Sequence, residues 1–133
     1  MSQLPAKSPV TCHVLDSSIG KPAAGVKVAL YVFVSSETNV APVLVAAGLT
    51  DGDGRCMQLW SDAAEDAVKL ASSKLVANRQ YKMMFWVKEY FQQTGRKCFY
   101  PVVEINFEVE NPAEHYHIPL LISPYSYTTY RGS

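Results

Sequence analysis

Residues His115 to Ser133 carry the sequence HYHIPLLISPYSYTTYRGS, and this stretch indicates the fold more directly than any other. A strand is predicted from His115 to Ile122, because every second residue from Tyr116 onward is core-like while the alternate positions begin with two histidines. The histidines then face away from the core. A second strand from Tyr125 to Tyr130 follows across a serine-proline pair, so the two strands are expected to form a hairpin.

Alternating patterns predict further strands along the chain. The clearest runs from Val103 to Val109, where apolar residues alternate with glutamates and an asparagine, as in a strand with one face in a core and one in water. The other predicted strands are Val10 to Leu15, Val26 to Val34, Pro42 to Gly48, Cys56 to Trp60 and Tyr81 to Val87. About seven or eight short strands joined by turns are typical of a β-sandwich.

Turn and helix signals separate these strands. The segment from Ser17 to Pro22 holds the glycine and proline of a turn that should stop strand pairing. Asp51 to Gly54, with two glycines, predicts a tight turn that places Arg55 at the start of the next strand. Ser61 to Leu75 has the composition of a short surface helix or ordered loop. Lys88 to Thr94 predicts a short helix, which Gly95 would close as a C-cap.

The composition favours one folded domain that binds neither nucleic acid nor an acidic membrane surface. The chain has 133 residues, 48% of them apolar, and a formal net charge of zero, so neither nucleic acid nor an acidic membrane surface is expected to bind. No apolar stretch has the length needed to cross a bilayer, and the first residues lack the apolar core of a signal peptide. We expect a flexible segment over residues 1–9, a domain over 10–133, and a cytoplasmic location.

Three separated cysteines, Cys12, Cys56 and Cys98, lack the close spacing of a zinc-thiolate or redox motif. They are expected to be reduced structural thiols. Near-zero net charge permits subunits to associate, because little repulsion opposes their contact.

The three histidines are predicted to meet on one outer surface. Strand alternation turns Cys12 and Val14 inward and His13 outward together with Thr11. Three explanations are compatible with that surface: histidines without a role, a metal site built from the His-x-His pair with His13, or hydrolysis without a metal. The absence of a carboxylate in a matching motif disfavours the metal site.

Three blocks of sequence resemble the 5-hydroxyisourate hydrolase family, the transthyretin-related enzymes of urate breakdown. The C-terminal HYHIPLL and SPYSYTTYRGS resemble the signature of that family, HVLD at 13–16 with GKPAAGV at 20–26 resembles its first strand and turn, and TDGDGR at 50–55 resembles its central turn. The likeness runs from Val10 to Ser133. It implies an all-β, transthyretin-like β-sandwich of about eight strands with one short helix. The segment 61–75 is longer than the usual connection in the family.

The resemblance implies hydrolysis of 5-hydroxyisourate to 2-oxo-4-hydroxy-4-carboxy-5-ureidoimidazoline in purine degradation, without metal or cofactor. Such a reaction needs a base to activate water, a cation to polarise the carbonyl, and an acid to protonate the departing ring nitrogen. The matching family positions assign catalysis to His13, Arg55, His117 and Ser133, and substrate binding to His13, Arg55, Tyr130 and Arg131. His115 lies on the same face but matches a position less tied to chemistry. Either His13 or His117 could be base or acid, and we favour His117, with a histidine partner, for activating water.

The resemblance also implies a homotetramer, a dimer of dimers with sites where subunits meet. The outward-facing Pro119 and Leu121 would suit an apolar interface. The alternative function is a small-ligand carrier like transthyretin, which shares the fold but departs from the His, Arg, His set and from the terminal tetrapeptide. Peroxisomal location is a second possibility, although a C-terminal Ser-Lys-Leu signal is absent.

Overall fold

A computed structural model describes residues 8–35, 38–57 and 75–132 of this chain. In those ranges the chain forms two β-sheets and one short helix. The elements, in chain order, are β1 (Val10–Asp16), β2 (Lys21–Pro22), β3 (Lys27–Ser35), β4 (Val40–Leu49), β5 (Arg55–Cys56), β6 (Arg79–Phe85), α1 (Val87–Gln93), β7 (Val103–Val109), β8 (Tyr116–Ser123) and β9 (Ser126–Thr129). The predicted all-β fold with one short helix is confirmed.

The first sheet has the order β2-β1-β8-β9, and β5 also pairs with β1. β1 and β8 run parallel, from the pair Val10 and Tyr116 to the pair Asp16 and Ile122. The other pairings in this sheet are antiparallel. The second sheet has the order β4-β3-β6-β7 and is antiparallel throughout. The predicted hairpin of β8 and β9 is confirmed.

The core lies between the two sheets, where inward-facing side chains from both exclude water. The largest fully buried side chains are Tyr81, Phe85, Phe91, Leu30, Met83 and Leu120. In β8 the predicted inward face is buried throughout, from Tyr116 to Ile122 at alternate positions, with at most 5% of any residue exposed. In β1, Cys12 and Val14 are fully buried, as the alternation predicted.

The helix α1 ends as the sequence predicted. Gly95 follows it with φ of +74°, a left-handed conformation that glycine adopts without a Cβ clash. The amides of Gly95 and Arg96 donate to the carbonyls of Gln92 and Phe91 at 3.0 and 2.9 Å, so carbonyls of the last helical turn are satisfied.

Several predicted boundaries need correction. Lys21 and Pro22 pair with β1 as a two-residue strand, because proline at a sheet edge need not donate to a ladder; the turn itself is confined to residues 17–20. The strand predicted to reach Val87 ends at Phe85, and Val87 begins α1. The strand predicted at Cys56 begins at Arg55 and ends at Cys56. Gln58 to Trp60 and nearly all of the predicted helix at Ser61 to Leu75 lie outside the described residues.

All three cysteines are free thiols and are buried, as expected for structural cysteines. In the ranges that the structure covers, no helix has the length and apolar character needed to cross a membrane.

Candidate active site

His13 and Arg55 lie directly opposite each other on β1 and β5. The short strand β5 is held in place by the turn before it, where Asp51 accepts hydrogen bonds on its carboxylate from the amides of Asp53 and Arg55 at 2.9 and 3.0 Å. Side chains of directly opposed residues share one face of a sheet. The turn therefore brings the Arg55 side chain to the side of the sheet on which His13 lies.

Gly54 allows β5 to approach β1 this closely. Its carbonyl oxygen accepts a hydrogen bond from the Val14 amide at 2.7 Å, and its φ is +76°. A Cβ at this position would stand 2.3 Å from the Val14 carbonyl oxygen, which is closer than van der Waals contact permits. The glycine immediately before Arg55 is thus a structural requirement for the pairing of Arg55 with His13.

The imidazole of His13 is anchored at one nitrogen. Its Nε2 lies 3.0 Å from the carbonyl oxygen of Asp53. A carbonyl oxygen can only accept, so Nε2 must carry the hydrogen, and the neutral ring then has its lone pair on Nδ1. The turn that positions Arg55 therefore also fixes the tautomer of His13.

His117 lies near His13 on the neighbouring strand β8. The two ring centroids are 6.5 Å apart, with the ring planes tilted by 37°. The ring of His115 lies equally far from that of His117, on its other side along β8. The structure thus brings the three histidines together on the outer face of the first sheet, as the alternation predicted.

Thr11 connects two of these histidines, and sequence reasoning missed its importance. Its Oγ1 lies 2.8 Å from Nε2 of His115 and 2.8 Å from Nδ1 of His117, and the residue is fully buried. Alternation placed Thr11 on the same face as His13, but its contacts depend on the parallel register that sets it beside His117. No local sequence pattern encodes that register.

The C-terminal tail is held against His117. The amide of Gly132 donates to the His117 carbonyl oxygen at 3.1 Å, as an isolated antiparallel bridge. A Cβ at Gly132 would stand 2.7 Å from Cδ2 of the His117 ring. The tail therefore passes beside the imidazole at a distance that only glycine allows. Ser133, the remaining predicted catalytic residue, lies outside the described residues.

The guanidinium of Arg131 contacts other side chains of the same chain. Its guanidinium lies 3.0 Å from the Glu114 carboxylate and 4.8 Å from the centre of the Tyr116 ring. Tyr130, by contrast, is 61% exposed. These contacts give Arg131 a role in securing the tail, in addition to the substrate contact predicted for it.

A cleft of about 260 Å³ lies between this tail and the second sheet. His117, Tyr130 and Arg131 line one side, and Ile105 to Glu108 of β7 line the other. His13 and Arg55 are not among the lining residues. His117 is therefore the predicted site residue that belongs both to this cleft and to the His13 and Arg55 surface.

The metal explanation gains no support from this arrangement. Among the residues that the structure describes, no group of three or more histidine, cysteine or acidic side chains is arranged to hold a metal ion. His115 and His117, the His-x-His pair, each direct one ring nitrogen at the Thr11 hydroxyl.

Pro119 differs from the sequence expectation. It is buried within the chain, and so adds little to an interface between subunits.

Comparison with known proteins places this arrangement in a family. A sequence model described as "HIUase/Transthyretin family" matches residues 10–132. The chain belongs to the HIUase/transthyretin family. A 5-hydroxyisourate hydrolase of Mesorhizobium japonicum is 41% identical, over 93% of this chain and 91% of the relative.

Solved structures of this family share the fold. The transthyretin of Sparus aurata aligns with a TM-score of 0.74 and 26% identity, over 93% of this chain and 96% of that one. The 5-hydroxyisourate hydrolase of Klebsiella pneumoniae aligns with a TM-score of 0.65 and 29% identity, over 93% and 98%. The predicted transthyretin-like fold is confirmed. Because both proteins share it, the side chains on the sheet, rather than the fold, must distinguish a hydrolase from a carrier.

Proposed function

We propose that this protein is a 5-hydroxyisourate hydrolase, which opens a cyclic ureide with water to give 2-oxo-4-hydroxy-4-carboxy-5-ureidoimidazoline. The main observation behind this proposal is that His13, Arg55 and His117 lie close together on one face of the first sheet. His13 and Arg55 are directly opposed on β1 and β5, and the imidazole rings of His13 and His117 are 6.5 Å apart. Relatives in the same family that carry the name of this activity support the proposal. The convergence supplies the side-chain types that the reaction needs.

Each residue of this set has a chemistry suited to one part of the reaction. His117 activates the water, since an imidazole exchanges protons near neutral pH. Arg55 presents a cationic, planar fork of donors, which suits the oxyanion that develops on the attacked carbonyl. His13, whose Nε2 is held by the Asp53 carbonyl, contacts the cyclic substrate beside Arg55. One of the two histidines returns a proton to the departing ring nitrogen.

The tail completes this proposed site. Gly132 is bound to His117, and Ser133 follows it directly in the sequence. We assign the hydroxyl of Ser133 a hydrogen bond to the substrate. Ser133→Ala should therefore lower activity without unfolding the domain, while Gln92→Ala, at an exposed position of α1, should leave it unchanged. Full activity in Ser133→Ala would contradict this role for the tail.

We also propose that the protein assembles as a homotetramer, a dimer of dimers. β9 forms one edge of the first sheet, and β7 forms one edge of the second. Residues of β7, Thr129 at the end of β9 and the tail after it line one cleft, so both edges lie on the same side of the sandwich. Unpaired edges are ready to pair with a second chain. Light scattering after size-exclusion chromatography should give the mass of four chains, and a monomer would contradict the assembly.

The function is tested by following the ultraviolet decay of 5-hydroxyisourate, freshly made from urate with a urate oxidase. The wild-type protein should accelerate the decay above its spontaneous rate. His117→Ala should lose about 10²- to 10⁴-fold of that acceleration, the usual contribution of a general acid or base. Gln80→Ala, at an exposed position of β6 in the other sheet, is the matched control and should remain fully active.

Two outcomes would contradict the proposal. A folded tetramer that does not accelerate the decay would favour a small-ligand carrier, and ligand binding would then be measured by calorimetry. Full acceleration by His117→Ala would keep the hydrolase activity but remove His117 from it. Treatment with EDTA should leave the rate unchanged, because the proposed chemistry uses no metal; a loss restored by added zinc would overturn that part.

A further inference from the structure

The hydroxyl of Thr11 bridges two imidazoles in a space closed to solvent. Its Oγ1 is 2.8 Å from Nε2 of His115 and 2.8 Å from Nδ1 of His117, and none of Thr11 is exposed. Water therefore does not compete for the hydroxyl. A threonine hydroxyl has one hydrogen to donate and lone pairs to accept. Once its hydrogen is donated to one imidazole, the same oxygen can only accept a hydrogen from the other.

This constraint couples the tautomers of the two histidines. In one arrangement Nδ1–H of His117 donates to Thr11, which donates to Nε2 of His115, so that Nε2 of His117 is left as a base. In the other arrangement Nε2–H of His115 donates to Thr11, which donates to Nδ1 of His117. The hydrogen of His117 is then on its Nε2, and the same atom is an acid. Whenever the hydroxyl hydrogen is given to one ring, the other ring must donate to Oγ1, so these two states are complementary.

We propose that Thr11 and His115 are positioning residues that switch His117 from base to acid during one turnover. The inference rests on the proposed function, and it explains how one imidazole could serve both proton transfers. In the first arrangement, Nε2 of His117 takes a proton from the attacking water. The proton on its Nδ1 passes to Thr11 Oγ1, and the former hydroxyl proton passes to Nε2 of His115.

The proton balance of this relay closes. One O–H bond of water breaks and one N–H bond forms on His117; one N–H bond then breaks on His117 and one forms on His115. The hydroxyl loses one hydrogen and gains another. His115 ends with the positive charge, and neutral His117 has a hydrogen on Nε2. As Nε2 of His117 gives this hydrogen to the departing ring nitrogen, the relay runs in reverse: the Nε2 hydrogen of His115 passes to Thr11 Oγ1, and the former hydroxyl hydrogen passes to Nδ1 of His117. Both rings are then neutral, no anionic imidazole forms, and the starting state is restored.

Other ionisable groups surround His117 and would act on the same equilibrium. His13 faces His117 from β1, and His115 faces it from the same strand, β8. Three further groups line the same cleft as His117: Tyr130, Arg131 and, on β7, Glu108. These groups are common to the wild type and to the Thr11 variants below. A difference between those variants therefore reports on the hydroxyl.

Thr11→Val and Thr11→Ser make a matched pair, because valine keeps the shape of threonine without the hydroxyl and serine keeps the hydroxyl without the methyl. We expect Thr11→Val to lower kcat by about tenfold or more with little change in KM, and Thr11→Ser to keep most of kcat. Imidazole nitrogen NMR on the substrate-free protein should show complementary tautomers for His115 and His117 in the wild type and in Thr11→Ser. Thr11→Val should lose this pattern.

A second variant covers the case in which Thr11→Val fails to fold. His115→Gln can still hydrogen-bond to the hydroxyl but cannot hold the relayed proton. It should lower kcat and displace the pH profile of kcat, again with KM nearly unchanged. An unaltered pH profile and kcat in His115→Gln would overturn the relay.

The two proposals fail in different ways. An active wild type whose kcat and tautomers survive in Thr11→Val, or a serine variant as impaired as the valine variant, would overturn the bridge and leave the hydrolase intact. Complementary tautomers in a protein without hydrolase activity would overturn the proposed function and, with it, the catalytic role of the bridge.

Discussion

The backbone of Gly132 and the side chain of His117 are in such close contact that a single methyl group would not fit between them. The Gly132 amide donates to the His117 carbonyl at 3.1 Å, and a Cβ on Gly132 would lie 2.7 Å from Cδ2 of the imidazole. Real Cβ atoms essentially never come this close to a neighbouring heavy atom. The tail at Gly132 therefore limits where the His117 ring can lie.

Gly132→Ala should accordingly impair catalysis without unfolding the protein. The added methyl must displace either the tail or the imidazole, and a displacement of about 1 Å at a catalytic group can cost on the order of 10²-fold in rate. We expect kcat/KM to fall by at least about tenfold, with the melting temperature nearly unchanged. Gln92→Ala, at an exposed position of α1, is the control. Equal activity of the two variants would show that the tail does not constrain His117.

The ion pair that secures the tail should contribute a small, salt-dependent part of activity. Arg131 and Glu114 are 3.0 Å apart and both more than half exposed, so solvent and salt screen the attraction between them. Glu114→Gln should reduce kcat/KM by no more than about fivefold at low salt, and the difference from wild type should shrink as salt screens the pair.

The control for this pair is Glu104→Gln, which removes the partner of Lys82 in an ion pair of 3.3 Å on the other sheet. It should leave kcat/KM unchanged. If Glu114→Gln instead raised the affinity for substrate, Arg131 would be released to bind it, and its contact with Glu114 would be inhibitory rather than supportive.

The buried carboxylate of Asp16 should make stability depend on acidity. Tyr90 Oη and Arg96 Nη2 donate to it at 2.9 and 2.6 Å, and Ser18 donates its hydroxyl and its amide. Burial alone would raise the pKa of Asp16, but the hydrogen bonds from Ser18, Arg96 and Tyr90, together with the Arg96 charge, hold its pKa below the ordinary value.

A folded-state pKa below the unfolded one stabilises the protein once the group is ionised. The stabilisation from Asp16 should be complete well above the unfolded pKa of about 3.9 and should be lost as the pH falls through the lower folded value. Asp16→Asn should lower the free energy of unfolding at neutral pH by about 1–3 kcal/mol, because an amide cannot accept all of these hydrogen bonds. Urea unfolding at neutral and acidic pH measures both effects.

Tyr90→Phe is the companion variant for Asp16. It removes one donor but keeps the carboxylate and Arg96, so it should cost about 1 kcal/mol and keep most of the pH dependence. An Asp16→Asn protein as stable as the wild type at neutral pH would show that the buried carboxylate contributes nothing to folding.

The thiol of Cys12 should be chemically inert in the folded protein. Burial raises the pKa of Cys12 far above its ordinary value, and a charge on Cys56, the residue opposite it on β5, would raise it further. Since the thiolate is the nucleophile, iodoacetamide at about pH 8 should not modify Cys12 in the native protein but should modify it after unfolding in guanidinium. Peptide mass spectrometry distinguishes the two, and rapid native labelling of Cys12 would contradict its burial.

The sequence alone determined which residues face inward and which face outward. In β7 and β8 the side-chain period of two gave the buried face correctly, because alternation is a local property of an extended chain. The same alternation placed His13 and His117 on the outer face, and the resemblance drew Arg55 into the site. Gly95 marked the end of α1, since a left-handed residue after a helix is a local requirement.

The tertiary structure decided which of these faces touch. Thr11 meets His117 across 106 residues of sequence, and Asp16 meets Arg96 across 80. Such contacts depend on the register between strands and on where α1 packs, which no single segment specifies. For the same reason the pairing of Lys21 and Pro22 with β1, and the burial of Pro119, appeared only in the fold. Local periodicity assigned the surface on which we propose the chemistry, and long-range packing assigned the partners of each side chain on it.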